Sequence, residues 1–387
     1  MRRTSSLLRS LLIAAAAGGA LRAETAPALA NYVQTDLVSN IPGLALITDP
    51  ELVNPWGVSE SATSPFWVSN QGTNTSTLYT VTGGTNVTKV NINPPSGFVG
   101  IPTTASGPQG PTGQVNNGNS SSFLVGNGGN GAAAHFIFAN LNGTISAWDT
   151  GATSIVQATT PGAIYTGLAI NTAQTMIYAA NDAGSGGINV FNSSFAPATV
   201  SGTFTDPNLP AGYVPFNIQD IGGKLYVTYA PAGRSAQTSA TAGMGFVDVF
   251  DENGNFLDHL ISGSQLASPW GIALAPTSFA PFGGDLLVGN YSYADSVINA
   301  FNPITGAFLG SIPVNTGGNA PGGLWDLAFG NGGNGGSPGA LYFADGLNSE
   351  TAGLFGVFTV PEPSSLALLV VAVAWLGRRR MRSRGRA

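Results

Sequence analysis

An all-β, six-bladed β-propeller of four-stranded blades is the fold this sequence predicts, on three observations. A unit of about 50 residues recurs six times between residues 31 and 360. Within the units, second-strand segments end in Asn or Asp and third-strand segments close on an aromatic. No stretch of that region carries the 3.6-residue apolar period of an amphipathic helix.

The first strands start near Trp56-Gly57, Thr112-Gly113, Thr166-Gly167, Phe216-Asn217, Trp270-Gly271 and Gly323-Leu324, at spacings of 56, 54, 50, 54 and 53 residues. Pro269-Trp270-Gly271-Ile272 nearly restates Pro55-Trp56-Gly57-Val58. The second strands are short apolar runs ending at Asn70, Asn140, Asn181, Asn290 and Asp345, with Ala230 in the fourth unit. The third strands close on Tyr79, Trp148, Phe191, Phe250, Phe301 and Phe358. Asn142-Gly143, Glu252-Asn253-Gly254 and Thr305-Gly306 fall where hairpins are needed. A lone unit of this kind leaves two faces uncovered. Six packed in a ring bury those faces and leave only short edges. The extended stretches from Tyr32 to Leu37 and from Leu44 to Thr48 precede the first unit, and one of them is expected to close the ring as the outer strand of the sixth.

Only 8% of the 387 residues are charged, against roughly 25% in an average soluble protein. The balance is uneven along the chain. Between residues 24 and 360 only Lys89, Lys224 and Arg234 are basic, against 18 acids, a formal charge of −15. Three basic residues cannot neutralise a phosphate backbone or dock on an anionic bilayer, so nucleic acid is excluded as a partner. A surface kept wet by amides and hydroxyls reads as extracellular. The absence of cysteine removes disulfides, thiolate metal sites and cysteine nucleophiles.

Both ends differ from the middle. Residues 1–30 read as a secretory signal peptide: Arg2, Arg3 and Arg9, an apolar run from Leu11 to Leu21, then small residues with an A-x-A site at Ala28-Leu29-Ala30. Ala23 is a second cleavage candidate. Residues 361–387 begin Pro361-Glu362-Pro363, continue as an apolar run from Leu366 to Leu376, and end on a basic tail opened by Arg378-Arg379-Arg380. That run is shorter than the ~20 residues of a comfortable span. The arginines beyond it would stay on the cytoplasmic side, with the preceding domain outside. The three parts in this order resemble the PEP-CTERM sorting signal of Gram-negative bacteria. The resemblance implies export through the secretory translocon, transient insertion of a short C-terminal transmembrane helix in the inner membrane, and processing near Pro361-Glu362-Pro363 by an exosortase. The product would sit in the cell envelope, on the outer surface or outside the cell. The blades resemble NHL-type and gluconolactonase-like six-bladed propellers. From 32 to 386 the chain is similar to bacterial PEP-CTERM propeller proteins, a likeness that brings no established activity.

The recurring second-strand residue is the first site candidate. If those strand ends faced the channel, Asn70, Asn140, Asn181, Asn290 and Asp345 would form a ring of oxygens, the ligand type a hard cation such as Ca²⁺ takes. Asn181, Asn290 and Asp345 are the weak metal candidates, and a ring with one carboxylate would bind weakly. The competing reading is that Asn and Asp start turns by bonding local backbone. Trp56, Trp270 and Trp325 lie near first strands and are the ligand-stacking candidates. The third-strand aromatics read as packing between blades. Asp251-Glu252-Asn253-Gly254-Asn255 lacks the spacing of a calcium loop and reads as a hairpin turn. His135 and His259 fall at non-equivalent positions and read as structural, and no metalloprotease, nucleophile-elbow or phosphate-loop motif is present. The runs from Gly126 to Gly131 and from Gly330 to Gly336 read as linkers between strands.

Together these features predict an exported, non-catalytic binding protein for a glycan, such as an exopolysaccharide, a matrix component or an envelope protein. The alternative is a divalent-metal-dependent hydrolase or lactonase working in the channel, which a cluster of carboxylates there would favour. Asp220 and Asp326 are the acids that could join Asp345 if the first strands point inward.

Overall fold

The computed structural model describes residues 32–184 and 186–361. The signal-peptide and sorting-signal segments, apart from Pro361, lie outside the described residues. Among the described residues no helix is long and apolar enough to cross a membrane.

Six sheets succeed one another along the chain, each an antiparallel meander. Two strands precede them, β1 (Val33–Ser39) and β2 (Ile47–Thr48). Blade 1 comprises β3 (Pro55–Ser59), β4 (Phe66–Asn70), β5 (Thr75–Thr82) and an outer edge divided between β6 (Asn86–Lys89) and β7 (Val99–Gly100). Blade 2 comprises β8 (Pro111–Asn116), β9 (Phe136–Asn140), β10 (Thr144–Trp148) and β11 (Ile155–Thr159). Blade 3 comprises β12 (Tyr165–Ile170), β13 (Met176–Asn181) and β14 (Gly187–Asn192). Blade 4 comprises β15 (Tyr213–Asp220), β16 (Lys224–Pro231), a one-turn helix α1 (Arg234–Thr238), β17 (Phe246–Asp251) and β18 (Phe256–Ser262). Blade 5 comprises β19 (Pro269–Leu274), β20 (Leu286–Asn290), β21 (Val297–Phe301) and β22 (Phe308–Pro313). Blade 6 comprises β23 (Pro321–Phe329), β24 (Leu341–Leu347) and β25 (Ala352–Thr359).

The ring closes through β1, which pairs antiparallel with β25 as the fourth strand of blade 6. The second extended stretch adds a further edge, since β2 pairs parallel with β1. Blade 3 departs from the expected four strands. Its outer edge is an extended segment held by a bridge between Phe191 and Pro197 and by Ala198 N–H donating to the Val190 carbonyl. Pro197 within that segment and Pro207 beyond it have no N–H to give a ladder.

The first strands form the innermost layer. Each touches the next, from β3 through β8, β12, β15, β19 and β23 back to β3. Glycine makes that approach possible. A Cβ on Gly57 would stand 2.5 Å from the Thr112 carbonyl oxygen, and one on Gly271 would stand 2.2 Å from that of Trp325. The repeated Trp-Gly pair is therefore a packing device: the tryptophan fills the ring and the glycine lets the neighbouring strand in. Farther out, aromatics join the blades. Trp67 stacks on Phe136 at 4.1 Å, and Phe66 meets Tyr342 at 4.5 Å. Tyr79, Phe191, Phe250, Phe301 and Phe358 are buried and Trp148 is half-buried, the packing role expected of third-strand aromatics. At about 1.5–3 kcal/mol per large side chain removed from water, this burial holds the ring together without disulfides.

Candidate functional site

The axis of the ring is filled by aromatic side chains. Trp56 from β3 and Trp325 from β23 stack with ring centroids 3.5 Å apart, and Trp270 from β19 meets them edge-on at 6.1 and 5.8 Å. Tyr291 stacks on Trp325 at 4.3 Å, and Phe216 from β15 stands 6.0 Å from it. The indole of Trp270 donates to the Thr166 carbonyl at 2.9 Å, and that of Trp325 to Asn54 Oδ1 at 2.9 Å. The buried Trp56 Nε1 has no partner. All three predicted tryptophans thus come together, and Trp56 lines the larger of the two cavities at the mouths of the ring.

That cavity, about 650 Å³, opens on the face where the first strands begin. Its apolar floor includes Trp56 and Phe216, and its polar wall includes Asp182, Arg234, Gln237 and Glu350. Gly233, at φ 91°, turns the chain into α1 and sets Arg234 over the aromatics. The guanidinium carbon stands 4.7 Å from the Tyr291 ring centroid, 5.7 Å from Trp325 and 5.8 Å from Trp56, within cation–π range. Glu350 completes the group: it pairs with Arg234 and accepts from the Tyr291 hydroxyl at 2.8 Å. It is delivered by three consecutive left-handed residues, Asn348, Ser349 and Glu350 (φ 51°, 55° and 70°). Non-glycine residues adopt that region at a cost of about 1–2 kcal/mol each, and such conformations gather at functional sites. Opposite, Gln237 Nε2 donates to Asp182 Oδ1 at 2.8 Å. Burial raises the Asp182 pKa to about 6, against the lowering effects of Gln237 and of the Arg234 charge.

The other mouth, where the first strands end, holds a cavity of about 530 Å³. Glu60, Asp220 and Asp326 line it, and no basic side chain does. Burial, reinforced by the charge of Asp326, raises Glu60 to about 8. Burial also raises Asp326 to about 7, although the backbone N–H groups of Val58 (2.6 Å) and Leu327 (2.8 Å) donate to its carboxylate. Asp220 is raised to about 6, chiefly by burial, with Gly223 N–H donating to it. The two acids expected from inward-pointing first strands do share this mouth.

The second-strand ring is placed differently from its expectation. Sheet order sets β4, β9, β13, β20 and β24 one strand out from the axis, and their terminal amides bond locally. Asn70 Nδ2 donates to Thr75 and Thr77, and Asn140 Nδ2 to Thr144 and Ser146. Asn181 Oδ1 accepts from the backbone of Ile164 and Ala183, and Asn290 Oδ1 from that of Ala267. Asp345 is buried with both carboxylate oxygens unpartnered, and burial, with a further push from Asp36, raises it to about 8. In blade 1 Thr75, opposite Asn70, and Thr77, two residues farther along β5, supply its partners; in blade 6 the residues at those register positions are Leu354 and Gly356. The Asp251–Asn255 segment is the expected turn, with Asp251 Oδ1 accepting from Asn253 and Asn255 N–H. The run from Gly330 to Gly336 is also a strand connector, tied down by Asn331 bonds to Ser61 and Ser64.

Glu60, Asp182, Arg234, Gln237 and Glu350 escaped the sequence reading. One signal was present: Asp182 directly follows a second strand and Glu60 a first strand, so each sits at a mouth by register. Arg234 is one of only three basic residues in the domain, and its isolation was itself a mark.

The chain is 32% identical over 289 residues to the uncharacterised protein R648 of Acanthamoeba polyphaga mimivirus, covering 71% of this chain and 67% of that protein. It is 30% identical over 302 residues to the uncharacterised protein L690 of the same virus, covering 75% and 76%. No protein-family model matches the chain. Among solved structures, the streptogramin B lyase structure superposes with a TM-score of 0.46 at 11% identity, covering 85% of this chain and 97% of that one. That likeness is one of fold.

Proposed function

This chain belongs to the family of the mimivirus proteins R648 and L690, and from that premise we propose that it is an exported, non-catalytic propeller that binds a neutral, hydroxyl-rich ligand of the glycan class at the Arg234 mouth. The carrying observation is the composition of that cavity. An indole and a phenyl ring form its floor, and its charged groups are already matched, Arg234 by Glu350 and Asp182 by the Gln237 amide. Apolar ring faces with a few fixed polar groups suit the alternating apolar and hydroxyl surfaces of a sugar, and about 650 Å³ is an ordinary volume for a small-ligand site. A matched charge set leaves nothing to attract a strongly ionic ligand. Export and exosortase processing rest on the patterns of residues 1–30 and 361–387 and on a domain with few charged residues.

Glycan-array screening of the purified protein, followed by calorimetry, tests the binding. One saccharide class should bind, quench tryptophan fluorescence and lose at least tenfold in affinity in Glu350→Gln. Binding that ignores this substitution, or no binding at all, would sink the reading. Processing is tested separately by intact mass of the protein recovered from its native envelope. Loss of residues 1–30 and of the tail beyond the Pro361-Glu362-Pro363 region is expected, and a full-length mass would refute it.

A second reading draws on the opposite mouth. Three carboxylates without a basic neighbour could hold a divalent cation and support lactone or ester hydrolysis. They do not converge as a ligand set: among the described residues, three such ligand groups meet only at Asp206, Asp248 and His259. Ca²⁺-dependent lactone turnover abolished by Glu60→Gln would favour this reading over the first.

A further inference from the structure

Away from both mouths, three side chains from separate parts of blade 4 and its entry meet at one point. Asp206 lies on the connector from β14 to β15, Asp248 on β17 and His259 on β18. His259 Nδ1 stands 2.6 Å from Asp206 Oδ2 and 2.7 Å from Asp248 Oδ1, with both carboxyl side chains fully buried and the imidazole 20% exposed. None of the three lines either cavity.

Backbone irregularity builds this convergence. Val247 pairs with Ile261 and Val249 with Asp258, so Asp248 alone faces both His259 and Leu260. That bulge re-aims the imidazole at the carboxylate. The connector is fixed independently: Gly202 and Phe204 donate their N–H groups to the Asn253 and Gly254 carbonyls, and the Phe204 ring packs on Tyr178 and Phe250. Asp206 Oδ1 is occupied by the Asn208 N–H at 2.7 Å, which leaves Oδ2 aimed at the histidine.

Hydrogen bonding to the imidazole leaves oxygens of the group over. An imidazole Nδ1 carries at most one hydrogen, yet two carboxylates approach it. Asp206 Oδ2 and Asp248 Oδ2 have no hydrogen-bond partner. Among the described residues, the ion pairs of both acids are with His259 alone. Two buried carboxylates that share a single imidazole as their one basic neighbour among the described residues carry more negative charge than it can offset, and proteins pair such charge or place it on a metal.

We infer that Asp206, Asp248 and His259 form a binding site for a divalent first-row cation of the zinc–manganese type, with the two carboxylate oxygens and Nδ1 as ligands. One nitrogen and two oxygens suit Zn²⁺ or Mn²⁺; an imidazole is a poor ligand for Ca²⁺. The ion's two positive charges match the two carboxylates. Three protein ligands and a partly exposed imidazole leave a coordination position for water. The site ties the blade 3–4 connector to the outer half of blade 4, where blade 3 lacks a regular fourth strand.

The test uses the full-length protein stripped with EDTA and titrated with Zn²⁺ and with Mn²⁺ by calorimetry, with thermal melting alongside. One ion per chain at micromolar affinity or better is expected, with a higher melting temperature on binding. Asp248→Asn and His259→Gln should each weaken binding at least 100-fold. Should those variants fail to fold, Co²⁺ loading of the unaltered protein decides, through visible d–d absorption and a shift of the His259 Nδ1 ¹⁵N resonance. A stripped protein that neither binds these ions nor shifts in melting overturns the inference, as does binding that leaves the His259 resonance unmoved.

Discussion

The indole rings of Trp56 and Trp325 stack 3.5 Å apart at the axis of the ring, inclined by 20°, and the Arg234 guanidinium stands within 5.8 Å of both. Blades 1 and 6, distant in sequence and adjacent in the ring, are thus joined by an aromatic pair of which Trp56 reaches the cavity floor and Trp325 lies behind it, with a cation from blade 4 over both. Closure of the propeller and construction of this cavity wall are the same event.

Arg234→Met separates the two roles. The arginine side chain is 43% exposed, so solvent screening keeps its contribution to folding small, and urea unfolding should change by less than about 1 kcal/mol. Ligand affinity should fall at least tenfold, because the planar guanidinium is lost along with the partner of Glu350. Arg234→Lys should recover only part of it, a point charge being a poor substitute for a stacked fork. Full recovery by lysine would show that charge alone matters there.

Trp325 has the opposite profile. It is fully buried and touches Trp56, Trp270, Tyr291 and Phe216. Trp325→Ala should destabilise the domain by about 3–5 kcal/mol in urea unfolding, the usual cost of a large aromatic cavity. A loss below about 1 kcal/mol would mean that the axial aromatics do not hold the ring.

The ring, its six units and its closing strand were legible because each is written in local sequence. A 50-residue period and an Asn-ended second strand show without any knowledge of contacts. Even Trp56 and Trp270 announced themselves, since Pro-Trp-Gly is repeated. The sites were less legible because they are assembled across blades. Arg234, Glu350 and Trp56 come from blades 4, 6 and 1, and Asp206, Asp248 and His259 converge only through a bulge and a connector. The Asn ring was misplaced for a related reason: a strand-end pattern shows which residues are equivalent, but sheet order decides which layer faces the axis.

Asp345 makes folding sensitive to pH. Its folded-state pKa is raised to about 8, by burial first and then by Asp36. In the unfolded chain an aspartate loses its proton near pH 4. Between those values the folded state holds a proton that the unfolded state has released, so this residue's contribution to stability falls as pH rises, by at most about 1.4 kcal/mol per pH unit. Asp345→Asn mimics the neutral acid. Its urea midpoint should match the unaltered protein near pH 4–5 and exceed it increasingly towards pH 8. Parallel pH profiles would show that Asp345 finds a partner for its charge.

The closing strand fixes where the chain can be trimmed. β1 supplies the outer strand of blade 6 from Val33 onward, Leu37 and Val38 are fully buried, and the Ser39 hydroxyl donates to the Gly353 carbonyl at 2.7 Å. Cleavage at Ala28-Leu29-Ala30 would leave this strand intact by a margin of two residues. Val38 pairs with Phe355 on one side and Ile47 on the other, so a proline there both removes a donor and pushes against a filled core. Val38→Pro should cost at least about 3 kcal/mol in urea unfolding, whereas Val33→Pro, at the exposed start of the strand, should cost under about 1 kcal/mol. Equal losses at the two positions would mean that closure of the ring does not depend on the Leu37–Ser39 half of the strand.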